Sequence, residues 1–214
     1  AENNNQMVSW CCYSPGGYSL CTDYRSFDKI IAMSLYDYVY RTKTFISGDW
    51  TGDQDLISQL KEWNNNRHLG LNFVDVHEVT QSSDSSLYCS IKKSLRQRLN
   101  ISKTFVLIVG RDTKSLSKGA CRHCGLYQSG SFYCLNGGSI DNRSYIQYEC
   151  EMAVKDFKAG DLRRIVVIYN GRVHPDKSLC PDVIKYYGNH IGSDVIIDGK
   201  HYWDYQGIKN AICG

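Results

Sequence analysis

The sequence predicts a doubly wound α/β fold in which helices cover both faces of a parallel sheet. Three observations carry that prediction. From Thr42 onward, short β-branched and aromatic runs alternate with segments of helical period. Two of the runs, Thr104–Val109 and Arg164–Tyr169, are almost continuously apolar, as strands covered on both faces must be. The helical segments between runs are long enough to serve as crossovers. Right-handed crossovers then wind the sheet in both directions, most simply in the flavodoxin-like strand order. Ligands of such folds lie outside the carboxyl ends of the strands, which selects the loops after Ser47, Val76 and Val109.

The elements follow in order. Residues 1–38 are expected to form an appendage: a polar Asn/Gln tract, an irregular Cys/Gly/Tyr stretch to about Tyr24, and one helix with Phe27, Ile30, Ile31, Leu35 and Tyr38 on its face. Residues 39–214 form the main domain. Thr42–Ser47 reads as its first strand. Thr51-Gly-Asp-Gln54 reads as a capping box opening a helix whose face is Leu56, Ile57, Leu60 and Trp63. Leu71–Val76 is the second strand. After a Ser/Asp loop, Leu87, Ile91, Leu95 and Leu99 mark the second helix. Thr104–Val109 ends on Gly110, and a Gly/Ser/Cys-rich insertion over residues 111–142 is too long for an ordinary connection. A helix over Ser144–Ala159 and a strand over Arg164–Tyr169 follow. The tail holds strand-like runs around Val195 and Tyr202 and a closing helix from about Tyr205.

At 214 residues the chain can bury a core without cross-links or metal. Its 25 basic and 22 acidic side chains leave a net charge of +3, too small for the global field that gathers nucleic acid or anionic membrane, so neither is expected as a partner. No apolar run approaches the length of a membrane span, and no signal-peptide pattern opens the chain; the expectation is a soluble, cytoplasmic protein. Most of the ten cysteines are scattered singly through core-like segments, which favours reduced thiols. The sequons at Asn100 and Asn142 read as chance matches.

The helix after the insertion carries the most informative carboxylate. Ser144-Tyr-Ile-Gln147 is a capping box, so Ser144 is the expected N-cap. Ile146, Cys150, Ala153, Val154 and Phe157 form one apolar stripe, and at about 100° per residue Glu149 lies roughly 80° from its centre, beside Tyr145 and Met152. That places Glu149 at the edge of the buried face and Glu151 in solvent. Periodicity alone fits a carboxylate that simply complements the helix dipole.

These segments, in this order, resemble the TIR superfamily, and more closely the TIR-like proteins of bacterial antiviral systems such as Thoeris. Phe45-Ile-Ser47 looks like the end of the first TIR strand, Gly48–Asp53 the loop lining the nucleotide site, Phe73–His77 the second strand and following loop, and Phe105–Val109 the central strand. The most specific piece is Tyr145-Ile-Gln-Tyr-Glu149, similar to the aromatic-x-x-x-Glu of TIR enzymes; the aromatic there is usually Trp. The resemblance spans about residues 40–170. It implies NAD as substrate, cleavage between nicotinamide and ribose, and Glu149 as the catalytic carboxylate. Nicotinamide leaves as a neutral molecule, so one carboxylate that stabilises an oxocarbenium-like ribose suffices. Trp50 is the candidate for stacking on a base or nicotinamide ring, alongside the plainer reading of a loop anchor. Ser47 and Gly48 offer a hydroxyl and close backbone approach, and Tyr145 and His77 complete the substrate-binding candidates. Asp49 and Asp53 read as turn and first-turn residues.

Within the insertion, Cys121-Arg-His-Cys124 with Cys134 beyond has the close pair of a zinc knuckle. Structural zinc, a disulfide and free thiols all remain open. A fourth zinc ligand would come from His123, the Cys11/Cys12/Cys21 group or Cys180.

Two further readings compete with an NAD-consuming enzyme that makes an ADP-ribose-derived messenger for a separate effector. One is a non-catalytic TIR-like interaction module, which the Tyr145 departure favours; the other is a flavodoxin-like nucleotide or flavin binder. Self-assembly into a homo-oligomer is implied by the resemblance alone.

Overall fold

The computed structural model describes residues 42–71, 73–75, 87–129, 133–135 and 139–214. The expected appendage with its Phe27–Tyr38 helix, the end of the second strand at Val76, and His77 lie outside these residues. The elements run β1 (Thr42–Ser47), α1 (Gln54–Asn65), β2 (Phe73–Asp75), α2 (Tyr88–Asn100), β3 (Thr104–Val109), β4 (Tyr127–Gln128), β5 (Tyr133–Cys134), α3 (Tyr145–Ala159), β6 (Arg164–Tyr169), β7 (Asn189–Gly192), β8 (Asp194–Ile197), β9 (Lys200–Trp203) and α4 (Tyr205–Cys213).

Five strands pair in parallel in the order β2-β1-β3-β6-β7. With β4 and β5 set apart in the insertion, this is the doubly wound, flavodoxin-like order expected from strand–helix alternation. All six residues of β3 are buried. Because successive side chains of a strand point to opposite faces, Phe105, Leu107 and Val109 join one core and Val106 and Ile108 the other. The first core is closed by Leu95 and Leu99 of α2 and Ile146, Cys150, Ala153 and Val154 of α3. The second is closed by Leu56, Ile57, Leu60 and Trp63 of α1 and Ile208, Ala211 and Ile212 of α4. The stripe marked for α1 is fully buried, while those of α2 and α3 are buried except for the partly exposed Leu87, Ile91 and Phe157.

The helix ends separate two similar motifs. At α3 the capping box forms as read: Ser144 Oγ accepts from the Gln147 N–H at 3.1 Å, and Gln147 Oε1 accepts from the Ser144 N–H at 3.0 Å. Gly160 closes the helix in the left-handed conformation at φ 81°. At α1 the expected Thr51–Gln54 box is not made. The N-cap is Asp53, with no side-chain cap bond, because Thr51 is drawn into a turn in which its N–H donates to Asp49 Oδ1 at 3.0 Å and the Asp53 N–H donates to Asp49 O at 2.8 Å. The second strand is also shorter than expected: Leu71 is buried in the second core but precedes β2.

β7 was not expected from the sequence. Asn189-His-Ile-Gly has little apolar content, and the strand sits at the sheet edge, fixed by pairing with β6 and by the Tyr169 hydroxyl on His190 Nδ1 at 2.9 Å. The runs around Val195 and Tyr202 form the antiparallel pair β8–β9. Its turn places Asp198 and Gly199 at φ 51° and 73°, a two-residue hairpin that matches strand twist.

The insertion leaves β3 at Gly110 and returns at α3. A 3-10 turn over Cys121–His123 and the short β4–β5 pair organise its described part. Its early part is tied to the start of α3, where the Tyr145 N–H donates to Lys118 O at 2.9 Å, and to its own end, where the Cys121 N–H donates to Asp141 O at 3.0 Å. The buried Lys92 ammonium donates to the Asp141 and Arg143 carbonyls at 3.0 and 2.7 Å. Arg96 of α2 grips Asp156 of α3 through two bonds, 2.6 and 2.9 Å. The Glu149 helix is therefore held at its start and along its length.

Candidate functional site

Three elements converge on Glu149. Ser47 is the last residue of β1 and shares the face of Phe45, so alternation points its hydroxyl toward α3. Ser47 Oγ donates to Glu149 Oε2 at 2.5 Å, joining residues 102 apart in sequence. Arg98, near the end of α2, supplies the positive charge that acts on this carboxyl, and its Nη2 donates to Ser94 Oγ at 3.1 Å. Ser47 is 1% exposed and Glu149 5%, so the carboxyl is buried and not at the edge of the buried face as helical phase placed it. The end of β1 and the flank of α2 cover the side of α3 that an isolated helix would leave half open.

Opposing influences set the charge of Glu149. Burial penalises the ionised form and dominates, while the Ser47 hydrogen bond and the Arg98 charge favour it; the net effect raises the carboxyl from 4.5 to about 7. Near neutral pH it therefore divides between acid and carboxylate. Such a group can accept a hydrogen bond from a hydroxyl, stabilise a nearby cation or exchange a proton. Arg98 was missed by sequence reading, yet a signal was present: it follows Ile91 and Leu95 at helical spacing, a cation in the phase of the apolar stripe.

The other expected site residues are distributed differently. Gly48 continues the chain beside β3, where an added Cβ would lie 3.1 Å from Ile108 Cβ, so glycine here permits close backbone approach. Trp50 packs against the second core, on the face opposite Glu149, with the Lys61 ammonium 4.8 Å from its ring. That is the loop-anchor role. Tyr145 is turned toward α2 and the insertion: its ring meets Tyr88 edge-on at 5.8 Å, and an added Cβ at Gly119 would stand 2.5 Å from it. Its buried hydroxyl lacks a hydrogen-bond partner, and burial pushes its pKa upward. The geometry thus unites Ser47 and Glu149, adds Arg98, and leaves Trp50 and Tyr145 in packing positions.

Cys121, Cys124 and Cys134 of the insertion are free thiols, as are Cys150, Cys180 and Cys213. Cys121 Sγ accepts from the Asp141 N–H at 3.3 Å. Cys180 is buried in the first core, away from the role of fourth ligand. Among the described residues, no three His, Cys, Asp or Glu side chains form a group that could hold a metal. Cys121, Cys124 and Cys134 fall among those residues, and the Cys11/Cys12/Cys21 group lies outside them. No helix among the described residues is long and apolar enough to cross a membrane.

Residues 45–118 match the family model described as Thoeris protein ThsB, TIR-like domain. The match supports a TIR-like family of the Thoeris type for this chain. It contains Ser47, Gly48, Trp50 and Arg98 and stops before the helix of Glu149. No curated protein matches the chain.

Proposed function

We propose, from that Thoeris-type family and the Ser47–Glu149 contact, that this chain cleaves the bond between nicotinamide and ribose in NAD. The product would be an ADP-ribose-derived signalling nucleotide, made in antiphage defence and sensed by a separate effector protein. The observation that carries the reading is a buried carboxyl of raised pKa, hydrogen-bonded to the last residue of β1, where a doubly wound fold places its ligands.

In the proposed reaction the C–N glycosidic bond breaks and its electron pair leaves with the pyridinium nitrogen, so nicotinamide departs neutral and positive charge develops on the ribose. Ionised Glu149 stabilises that charge and accepts a hydrogen bond from a ribose hydroxyl. Ser47 occupies Oε2, which leaves Oε1 for the substrate. An incoming hydroxyl, from water or from the nucleotide itself, adds to the ribose carbon and gives up its proton. A carboxyl near 7 is matched to receiving it.

One observation favours the non-catalytic module instead: Glu149 is 5% exposed, so substrate must open the Ser47 contact or its surroundings. Nicotinamide release from NAD by wild type and Glu149→Gln, measured before and after self-assembly, separates the readings. Release by wild type and its loss in the variant is the expected result. Equal release from both removes Glu149 from catalysis, and no release from assembled wild type favours the module.

A further inference from the structure

A second buried carboxyl lies on the opposite face of the sheet. Asp53 ends the loop after β1 and forms the N-cap of α1 through its backbone, but its side chain makes no cap bond. The carboxyl is laid against the ends of β3 and β6. Asn170 Nδ2 donates to Asp53 Oδ1 at 3.0 Å, and an added Cβ at Gly110 would stand 2.3 Å from the same oxygen. Asp53 is 2% exposed. Its other oxygen, Oδ2, is buried with no hydrogen-bond partner, and so is Asn170 Oδ1.

The amide cannot be turned over to relieve this. Asn170 Nδ2 also donates to Asp55 Oδ1 at 2.9 Å, so a flipped amide would aim its oxygen at two carboxyls. Two buried acceptors thus stand without donors on the same two side chains that an N–H···O bond already joins. A carboxylic acid facing a primary amide supplies what is missing with one hydrogen: the amide N–H donates to one carboxyl oxygen, and the acid O–H on the other donates to the amide oxygen.

The alternative, an ionised Asp53, would be a buried charge in company of its own sign. Asp49 in the loop and Asp55 on α1 are the charged groups that act on it most, and both oppose its ionisation. From the sheet side it meets Gly110 at the end of β3 and Asn170 at the end of β6, both uncharged.

We propose that Asp53 is held as the protonated acid in a cyclic hydrogen-bonded pair with Asn170, and that this pair is a pH-sensitive latch fixing the end of the β1–α1 loop to the carboxyl ends of β3 and β6. Loss of the proton places a carboxylate oxygen against the Asn170 carbonyl and adds a third negative charge beside Asp49 and Asp55. The latch then opens, and the loop carrying Gly48 and Trp50 is released. The raised pKa of Asp53, which burial dominates, agrees with this. The inference is independent of any reaction at Glu149.

The test is a side-chain carboxyl ¹³C titration of the wild-type protein, with amide hydrogen exchange at Thr51 and Asp53 corrected for its intrinsic pH dependence. The expected result is an Asp53 carboxyl that titrates clearly above an unperturbed aspartate near 3.9, and exchange at both amides that quickens once Asp53 ionises. In Asp53→Asn, whose amide can donate to Asn170 Oδ1 at every pH, the exchange stays slow throughout. An Asp53 midpoint near 4 in the folded wild type overturns the proposal. Exchange at Thr51 and Asp53 that ignores the ionisation overturns the latch. Should Asp53→Asn fail to fold, the wild-type titration still decides.

Discussion

Removing the Ser47 hydroxyl while leaving the fold intact isolates one of the forces on Glu149. In Ser47→Ala the burial that raises the carboxyl remains, and the hydrogen bond that lowers it is gone. One such bond near 1 kcal/mol corresponds to roughly one pH unit, so the Glu149 midpoint is expected to move upward by about that much. If ionised Glu149 is what cleaves NAD, nicotinamide release by the variant falls at pH 7 and recovers as pH rises. An unchanged acid limb of the pH–rate profile would mean that Ser47 acts on something other than the carboxyl. At this scale the sequence was informative about Glu149 and Ser47 separately but not about their contact. Helical phase brought Glu149 to the border of the buried face, and only the sheet supplies the β1 side chain 102 residues away that completes the burial. Asp53 was less legible still. Its residue type suits a helix cap, and the Asn170 amide that draws its side chain elsewhere comes from the far end of β6.

Two motifs of the same pattern make different predictions for their helices. Ser144 and Gln147 exchange both bonds of a capping box at α3, so Ser144→Ala should cost about 1 kcal/mol in urea unfolding. Thr51 stands in the same pattern ahead of α1 but is exposed and makes no cap, so Thr51→Ala should fall within about 0.5 kcal/mol of wild type. Equal losses would show that the pattern, and not the bond, governs stability. The distinction was hidden in the sequence because it depends on Asp49, whose carbonyl and carboxyl both capture the turn before α1. Long elements of strong period were legible: β1, β3, β6 and α3 fall where their residues place them. β7 was not, since an edge strand of Asn, His, Ile and Gly carries no alternation and takes its form from its β6 partner.

Over the whole molecule, buried and surface carboxyls pull stability in opposite directions with pH. Strand–helix alternation made the two-faced architecture readable, and with it the fact that each face closes its own core. It did not make readable that each face would also bury a carboxyl, because neither Glu149 nor Asp53 is buried by its own element. Glu149 titrates near 7 in the fold and near 4.5 without it. Below 4.5 both states hold the proton and no stability is lost; between 4.5 and 7 the unfolded chain ionises first, so stability falls as pH rises, and above 7 the loss is complete. The full difference is on the order of 3 kcal/mol. Asp53, also raised, acts in the same sense. Asp141 acts in the opposite one: burial opposes its ionisation, but Arg143 and Lys92 bring its carboxyl down from 3.8 to about 2, so its stabilisation is lost as pH falls through that interval. His190, lowered by burial, gains stability as pH rises toward 6.5 and partly offsets Glu149 there. The raw melting curve therefore mixes several groups. The difference between wild type and Glu149→Gln isolates one, because the variant keeps the shape of the side chain and removes its charge. The melting temperature of wild type relative to the variant should drop steadily from pH 4.5 to 7 and level off above it. A difference that stays flat across that range would mean that Glu149 is not a buried carboxyl, and the Ser47 contact would go with it.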